Sequence, residues 1–382
     1  MNVLVVFHSR VNTGYAMGPL EKTFFEVANI LAGSEGNVYF AFNTLNGEKP
    51  QSLPDNFTNI YEIDRIGIKD KHVFRSTLKT LTPLKVDLAF CFDLGVSGPL
   101  VKLLRDSGVD KIIAYWGATM SSENRGLKLL LKKLQVAMSL KRPNLFIFES
   151  EAMRRFAVYG RGIRSSQTVV IPTGVDIEKY TPLKKDKASI CSEFNICINK
   201  KIAIYSGHME ERKGVGVIVK AAMHLFDEHQ CDGWHILICG NQNGEERIFQ
   251  DMIKGHPAEN NITFCGYRAD LDKLMASSDI GIIASTGWDS FPMSALEMAA
   301  SGLPILVSDL QGLAETVEPN VTGFKFTPGD HKRLAEILAN LYIDDSSLET
   351  IAISARRRIV DGYTIDIQKN RLVNVLRRSI AR

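Results

Sequence analysis

Two carboxylates, Asp289 and Glu297, bracket a helix start within Ser-Thr-Gly-Trp-Asp-Ser-Phe-Pro-Met-Ser-Ala-Leu-Glu-Met-Ala-Ala-Ser-Gly-Leu-Pro at 285–304. A carboxylate can accept hydrogen bonds from two neighbouring sugar hydroxyls, each worth roughly 1.5–3 kcal/mol because one partner is charged. The plainer reading makes Asp289 a helix cap and Glu297 a solvated helix residue. A second candidate is Ser-Gly-His-Met-Glu-Glu-Arg-Lys-Gly at 206–214, followed by Val215, Val217, Ile218, Val219 and Ala222 at helical spacing. Lys213, with Arg212 beside it, stands at a helix start, where free amides and the macrodipole already favour an anion such as a diphosphate; the alternative is a solvated Arg-Lys pair. A third stretch, His8 to Gly18, puts Gly14 and Gly18 after the first apolar run, where a bare backbone could approach a ligand. It is not G-x-G-x-x-G, which disfavours a nicotinamide dehydrogenase. The D-x-D at Asp270 and Asp272 reads as a helix start, so no metal site is expected.

These residues need elements to hold them. Short β-rich runs at 2–7, 37–42, 87–92, 111–115, 145–148 and 168–171 alternate with amphipathic stretches such as 21–31 and 99–106. A second series follows at 201–206, 234–239, 262–264, 280–284, 304–308 and 323–326. Such alternation implies parallel sheets wrapped by helices, hence two doubly wound, Rossmann-like α/β domains facing a cleft. The joint is placed in 172–200, where Pro172, Gly174, Pro182 and a charged run cluster. The expected division is 1–185 as the N-terminal domain, 186–362 as the C-terminal domain, and 363–382 as a helix returning to the first domain.

Composition supports two globular domains, since 382 residues exceed the size at which one core keeps growing. The net charge of +3 argues against a nucleic-acid binder driven by bulk charge. Residues 1–185 hold 25 Lys and Arg against 17 Asp and Glu, while the remainder holds 21 against 26, so an anionic surface would meet the first half. The six cysteines include no C-x-x-C pair, which indicates neither zinc nor a disulfide framework. The first residues are apolar for too short a run to read as a leader, and no run is long enough to span a bilayer, so a reducing cytoplasm is the simplest expectation.

Taken jointly, Gly207 to Gly214, Cys265-Gly266, Asp289 with seven residues to Glu297, and Glu315-Thr-Val-x5-Gly-Phe324-x3-Pro-Gly-Asp330 resemble the retaining GT-B glycosyltransferases of family four. Ile171-Pro-Thr-Gly-Val-Asp176 resembles that family's Pro-Asn-Gly-Val-Asp turn. The likeness is close over 171–330 and holds only in outline before it. It implies a hexosyltransferase whose nucleotide-sugar donor, UDP- or GDP-linked, is a substrate rather than a cofactor and is held mainly by 186–362, with the acceptor held mainly by 1–185. The acceptor would be a glycan or lipid-linked saccharide, and bacterial surface polysaccharide or lipopolysaccharide synthesis is the commonest setting. Carried over residue by residue, Lys213 contacts the diphosphate and Glu297 the ribose. The turn from Asp289 through Phe291, Pro292 and Met293 meets the donor sugar. Gly207 and His208 would lie beside the donor, while Gly240 and the region Gly266, Tyr267 and Arg268 would line the base. The acceptor hydroxyl would attack from the face the diphosphate leaves, with that phosphate taking the proton, so no metal is required.

Three positions depart from the pattern. The family's usual arginine after the first glycine is His208, and Arg212 is the candidate to supply its charge. The first carboxylate is Asp289 rather than glutamate. The first domain lacks a histidine where the family often has one, near Tyr115-Trp-Gly-Ala-Thr119, with His8 and the loop 116–122 the nearest alternatives. Two other functions fit the same plan: a nucleotide-sugar epimerase or hydrolase, and a non-catalytic nucleotide-sugar-binding partner.

One stretch stands apart from this chemistry. Residues 125–142 carry six basic residues and no acidic one, with Leu127, Leu130, Leu131, Leu134 and Met138 on one helical stripe and Lys128, Lys132 and Gln135 on another. Either these leucines are core and the lysines solvated, or the helix lies on the inner face of a plasma membrane as a peripheral contact.

Overall fold

A computed structural model describes residues 1–14, 17–63, 86–118, 124–139, 141–182, 186–240 and 243–381. Chain contacts divide it into two compact units, Met1–Pro172 with Ile365–Arg382, and Thr173–Thr364.

The first unit is built on a seven-stranded, all-parallel sheet. Its strands are β1 (Val3–Arg10), β2 (Val38–Thr44), β3 (Ile60–Glu62), β4 (Leu88–Phe92), β5 (Lys111–Trp116), β6 (Leu145–Phe148) and β7 (Thr168–Val170), in the order β3-β2-β1-β4-β5-β6-β7. β1 is central, with Val3 in register with Val38 on one side and Leu88 on the other. Its side chains alternate between two cores: Val3, Val5 and Phe7 join one apolar cluster, Leu4 and Val6 the other. A strand buried on both faces has to be apolar at nearly every position, which is why it reads as a continuous run. The sequence runs anticipate every strand of this sheet except β3, a three-residue edge strand too short for an alternation to register.

The second unit repeats the plan with six strands: β8 (Lys201–Ser206), β9 (Trp234–Cys239), β10 (Ile262–Gly266), β11 (Ile280–Ile283), β12 (Ile305–Ser308) and β13 (Gly323–Phe326). Their order, β10-β9-β8-β11-β12-β13, is the dinucleotide-fold order, and all are parallel. Ala203 and Tyr205 point into one core and Ile202 and Ile204 into the other.

The boundary lies at Pro172/Thr173 rather than at 185/186 as the sequence suggested. The physical reason is that 173–182 is already bound to the second unit. Val175 and Tyr180 are buried in its core, and Val175 bridges Thr364. The Arg356 guanidinium also donates to the carbonyls of Ile177, Tyr180 and Ala300. The last helix, Ile365–Ala381, belongs to the first unit, where it packs on the helix Met17–Ala32. Leu372, Val373 and Leu376 enter that unit's core, Lys369 pairs with Glu26 at 3.0 Å, and Gln368 donates to the Tyr115 hydroxyl at 3.1 Å.

Because Leu372 is fully buried, Leu372→Ala is expected to destabilise the first unit by about 2–5 kcal/mol, the usual cost of emptying a core leucine site. Urea denaturation followed by tryptophan fluorescence and far-UV dichroism checks this.

Candidate functional site

The second unit's candidate residues gather at the carboxyl ends of its strands. β8 ends at Ser206, and the chain passes through a 3₁₀ turn, Glu211–Lys213, to Gly214 and the helix Val215–Asp227. Gly214 has φ 77°, and a Cβ there would lie 1.8 Å from the Ala284 carbonyl oxygen at the end of β11. Only glycine permits this approach, and the approach lets the loop after β8 lie against the loop after β11. The Thr286 and Gly287 amides donate to the Arg212 carbonyl at 2.7 and 3.2 Å.

Across that seam Lys213 Nζ meets Asp289 Oδ2 at 3.0 Å, and Ser285 Oγ donates to the same oxygen at 2.8 Å. The lysine side chain is 17% exposed and the aspartate 5%. Arg212 stacks over the exposed Trp288 ring at 4.3 Å, donates to the Trp288 carbonyl at 3.2 Å and pairs with Glu210 at 2.7 Å. Its charge is therefore shared with Glu210 and the indole, whereas the Lys213 ammonium sits inside the turn. Burial, with the Asp289 and Glu210 carboxylates nearby, pushes the Tyr205 hydroxyl up. It stays a donor, to the His208 carbonyl at 2.7 Å, and fixes the exposed His208 by its backbone.

On the other side of β8 the strand ends are glycines. The Gly207 amide donates to the Cys239 carbonyl and the Gly240 amide to the Gly266 carbonyl. Gly240 has φ 115°, and a Cβ on it would stand 2.1 Å from the Gly207 oxygen. Gly207, Gly240 and Gly266 thus form a platform of bare backbone, with Tyr267 56% exposed beyond it. Arg268 is spoken for, forming a two-pronged pair with Asp270 and a bond to Glu193 at 2.6 Å. Asp270 of the D-x-D is committed by the same contact.

Both plainer readings of the carboxylates give way. Asp289 does not cap the following helix, Met293–Ala300, whose cap position is Pro292, and Glu297 is 1% exposed rather than solvated. Phe291 is buried and stacks on Tyr363 with ring centroids 5.6 Å apart, so its ring packs the core. Met293 is half-buried at the helix start. Gly14, with φ 76°, is exposed in the first unit after β1. Of the first-unit loop 116–122, residues 119–122 lie outside the described residues. The residue that sequence reasoning missed there is Asp93, the first after β4, with φ 52° and a half-buried side chain. Its only sequence signal is an aspartate directly after an apolar run.

Each unit is built on a parallel, Rossmann-like sheet, and the second ends in a glycine platform beside a buried lysine–carboxylate pair; this is the two-unit α/β plan of the GT-B fold. Residues 189–358, nearly the whole of the second unit, match the family described as Glycosyl transferases group 1. Residues 189–358 therefore carry that family's domain. Among curated relatives, UDP-Gal:alpha-D-GlcNAc-diphosphoundecaprenol alpha-1,3-galactosyltransferase of Escherichia coli is 23% identical over 306 residues, 78% of this chain and 77% of that one. D-inositol 3-phosphate glycosyltransferase of Corynebacterium glutamicum is 29% identical over 185 residues, 47% of this chain and 44% of the relative, so the match spans less than half of that protein. Among solved structures, HepE of Anabaena in complex with UDP superposes with a TM-score of 0.79 at 20% identity, covering 98% of this chain and 99% of that one; at this identity the likeness establishes the fold.

Lys213 and Asp289 share one contact, so their substitutions should not add. A double-mutant cycle with Lys213→Met and Asp289→Asn is expected to give a coupling of about 1–3 kcal/mol in urea unfolding, within the range for directly contacting charged residues. Additive losses would show that the pair does not hold the two loops together.

Proposed function

We propose that the chain is a retaining glycosyltransferase that moves a sugar from a UDP- or GDP-linked donor to a glycan or lipid-linked acceptor in bacterial surface polysaccharide or lipopolysaccharide synthesis. The observation that carries this reading is the Lys213–Asp289 pair at the helix start beside the glycine platform. A diphosphate placed at the amino end of Val215–Asp227 would draw the ammonium toward itself, and Asp289 would be left to accept hydroxyls of the donor sugar. Glu297 would take the ribose hydroxyls, and the backbone at Gly240 and Gly266 the base. Attack of the acceptor hydroxyl from the face the diphosphate leaves keeps the anomeric configuration, with the departing phosphate taking the proton and no metal needed. The diphosphoundecaprenol acceptor of the Escherichia coli relative supports a lipid-linked acceptor here.

Lys213→Ala is then expected to lower kcat by about 10²- to 10³-fold, as when a stabiliser of a developing anion is removed. Glu297→Gln should weaken nucleoside-diphosphate binding by about 1.5–3 kcal/mol. Turnover should survive EDTA, and the product's anomeric proton should report retention by NMR. Unchanged turnover in a folded Lys213→Ala protein sinks the assignment.

The first unit is proposed to rest on an anionic membrane as a peripheral protein on the cytoplasmic face. The helix Gly126–Met138 buries Val136 and turns its leucine stripe outward, with Leu127, Leu130, Leu131, Leu134 and Met138 between 49% and 73% exposed. This exposure speaks against the core alternative for these leucines. Lys128 and Lys133 are exposed beside the stripe, and Lys132 donates to Gln135. Apolar surface rimmed by like positive charge fits a headgroup layer better than a protein core. Binding to liposomes should need anionic lipid, at about 1 kcal/mol per well-placed lysine. It should fall with salt and drop when Lys128, Lys132 and Lys133 become Gln. Equal sedimentation with neutral and anionic vesicles, or salt-sensitive self-association in place of binding, contradicts the membrane contact.

A further inference from the structure

The strand order of the first unit places β1 and β4 side by side at the point where the chain turns outward in opposite directions. In open α/β sheets, ligands enter beyond the carboxyl ends of the strands at such a point. Asp93 is the first residue past β4 there, and it is held in the left-handed region with φ 52°, a conformation uncommon for side-chain-bearing residues though less so for aspartate and asparagine than for most. Its amide donates to the Tyr115 carbonyl at 2.7 Å, and its Oδ1 accepts from the amides of Gly117 and Ala118 at 3.0 and 3.4 Å. Trp116 Nε1 donates to the Leu94 carbonyl at 3.0 Å, tying the ends of β4 and β5 a second time. One carboxylate oxygen is thus fixed by backbone, and no hydrogen bond to Oδ2 is formed among the described residues. Residues held in uncommon backbone regions persist where the surroundings determine them, and they concentrate at binding sites.

We propose that Asp93 is an acceptor-binding residue: Oδ1 anchors the carboxylate to the loop after β5, and Oδ2 accepts a hydroxyl of the incoming saccharide. This rests on the glycosyl-transfer reading above. It adds to that reading an anionic hydrogen-bond acceptor in a unit whose sequence lacks a histidine near Tyr115. The role is one of holding and aiming. The proton of the attacking hydroxyl still leaves with the phosphate, so Asp93 gains and loses none during transfer.

Burial pushes the Asp93 carboxyl up to about 6, against the two amides that pull it down. It is therefore ionised and accepting above pH 6, and protonated below. Among the described residues, His8 and Glu149 are titratable groups at this end of the sheet. His8 follows Phe7, the register partner of Phe92, and the Tyr115 hydroxyl donates to Glu149 at 3.1 Å. A Cβ on Gly117 would stand 3.3 Å from the same Glu149 oxygen, which brings that carboxylate close to the clamp.

Asp93→Asn is the discriminating change. Asparagine tolerates the left-handed conformation and still offers Oδ1 to the two amides, so a purely structural clamp survives it. Binding of the methyl glycosides of glucose, galactose and N-acetylglucosamine is measured by saturation-transfer NMR at pH 8 and pH 5, with and without UDP. At least one should bind the wild type at pH 8 and bind about tenfold more weakly at pH 5, as expected for loss of one charge-assisted bond. Asp93→Asn should bind about tenfold more weakly at pH 8, show no pH dependence and melt as the wild type does, while His8→Gln keeps the pH dependence. Equal binding by wild type and Asp93→Asn overturns the assignment. So does loss of the pH dependence in His8→Gln, or absence of any glycoside signal from the wild type. UDP calorimetry on the same proteins separates the two readings. Wild type that binds no UDP defeats the donor site, whereas Asp93→Asn with wild-type UDP affinity confines the effect to the acceptor.

Discussion

The second unit depends on how closely the loop after β8 can approach the end of β11. With Gly214 in the left-handed region and no side chain between it and the Ala284 carbonyl, the two loops share backbone hydrogen bonds through Arg212. Lys213 and Asp289 then meet across the seam. An ion pair this sheltered is not an efficient source of stability, because desolvating two charges offsets most of their attraction. Its value here is positional. It fixes an ammonium at a helix start and holds the carboxylate in the loop that follows β11.

The same economy of side chains governs the neighbouring strand ends. Gly207, Gly240 and Gly266 present backbone alone, so a planar ring could lie against them with no side chain in the way. Tyr205, buried beneath, fixes the course of the loop through the His208 carbonyl. The position where the family carries arginine is thereby an exposed histidine held by its main chain. Arg212, the residue closest in sequence able to supply a fixed charge, is drawn instead to Glu210 and Trp288.

The first unit obeys a different constraint. Its sheet is lined by an aromatic core in which Phe7, Phe24, Phe90 and Tyr115 pack edge and face, and the last helix closes one side of it. That packing leaves two features unspent: the leucine stripe of Gly126–Met138, and the Asp93 carboxylate at the end of β4. One offers apolar surface and the other charge, and both lie outside the part of the chain that the family model matches.

The sequence by itself determined the sheet architecture, because strands buried on both faces must be apolar throughout and the intervening helices must be amphipathic. All six strands of the second unit and six of the first are legible that way, while β3 is too short to leave a pattern. It also marked the loops that hold the candidate residues, since glycines, Lys213 and Asp289 sit at strand-to-helix turns. Only the tertiary structure decided what those residues touch. That Asp289 holds Lys213, that Glu297 is buried and that Phe291 packs on Tyr363 depend on contacts between strands adjacent in space and distant in sequence. Helical periodicity revealed a leucine stripe but not its direction, because a stripe looks the same whether it faces a core or water. Asp93 left almost no trace, since its geometry comes from amides in the loop after β5, and a single aspartate after an apolar run carries no record of them.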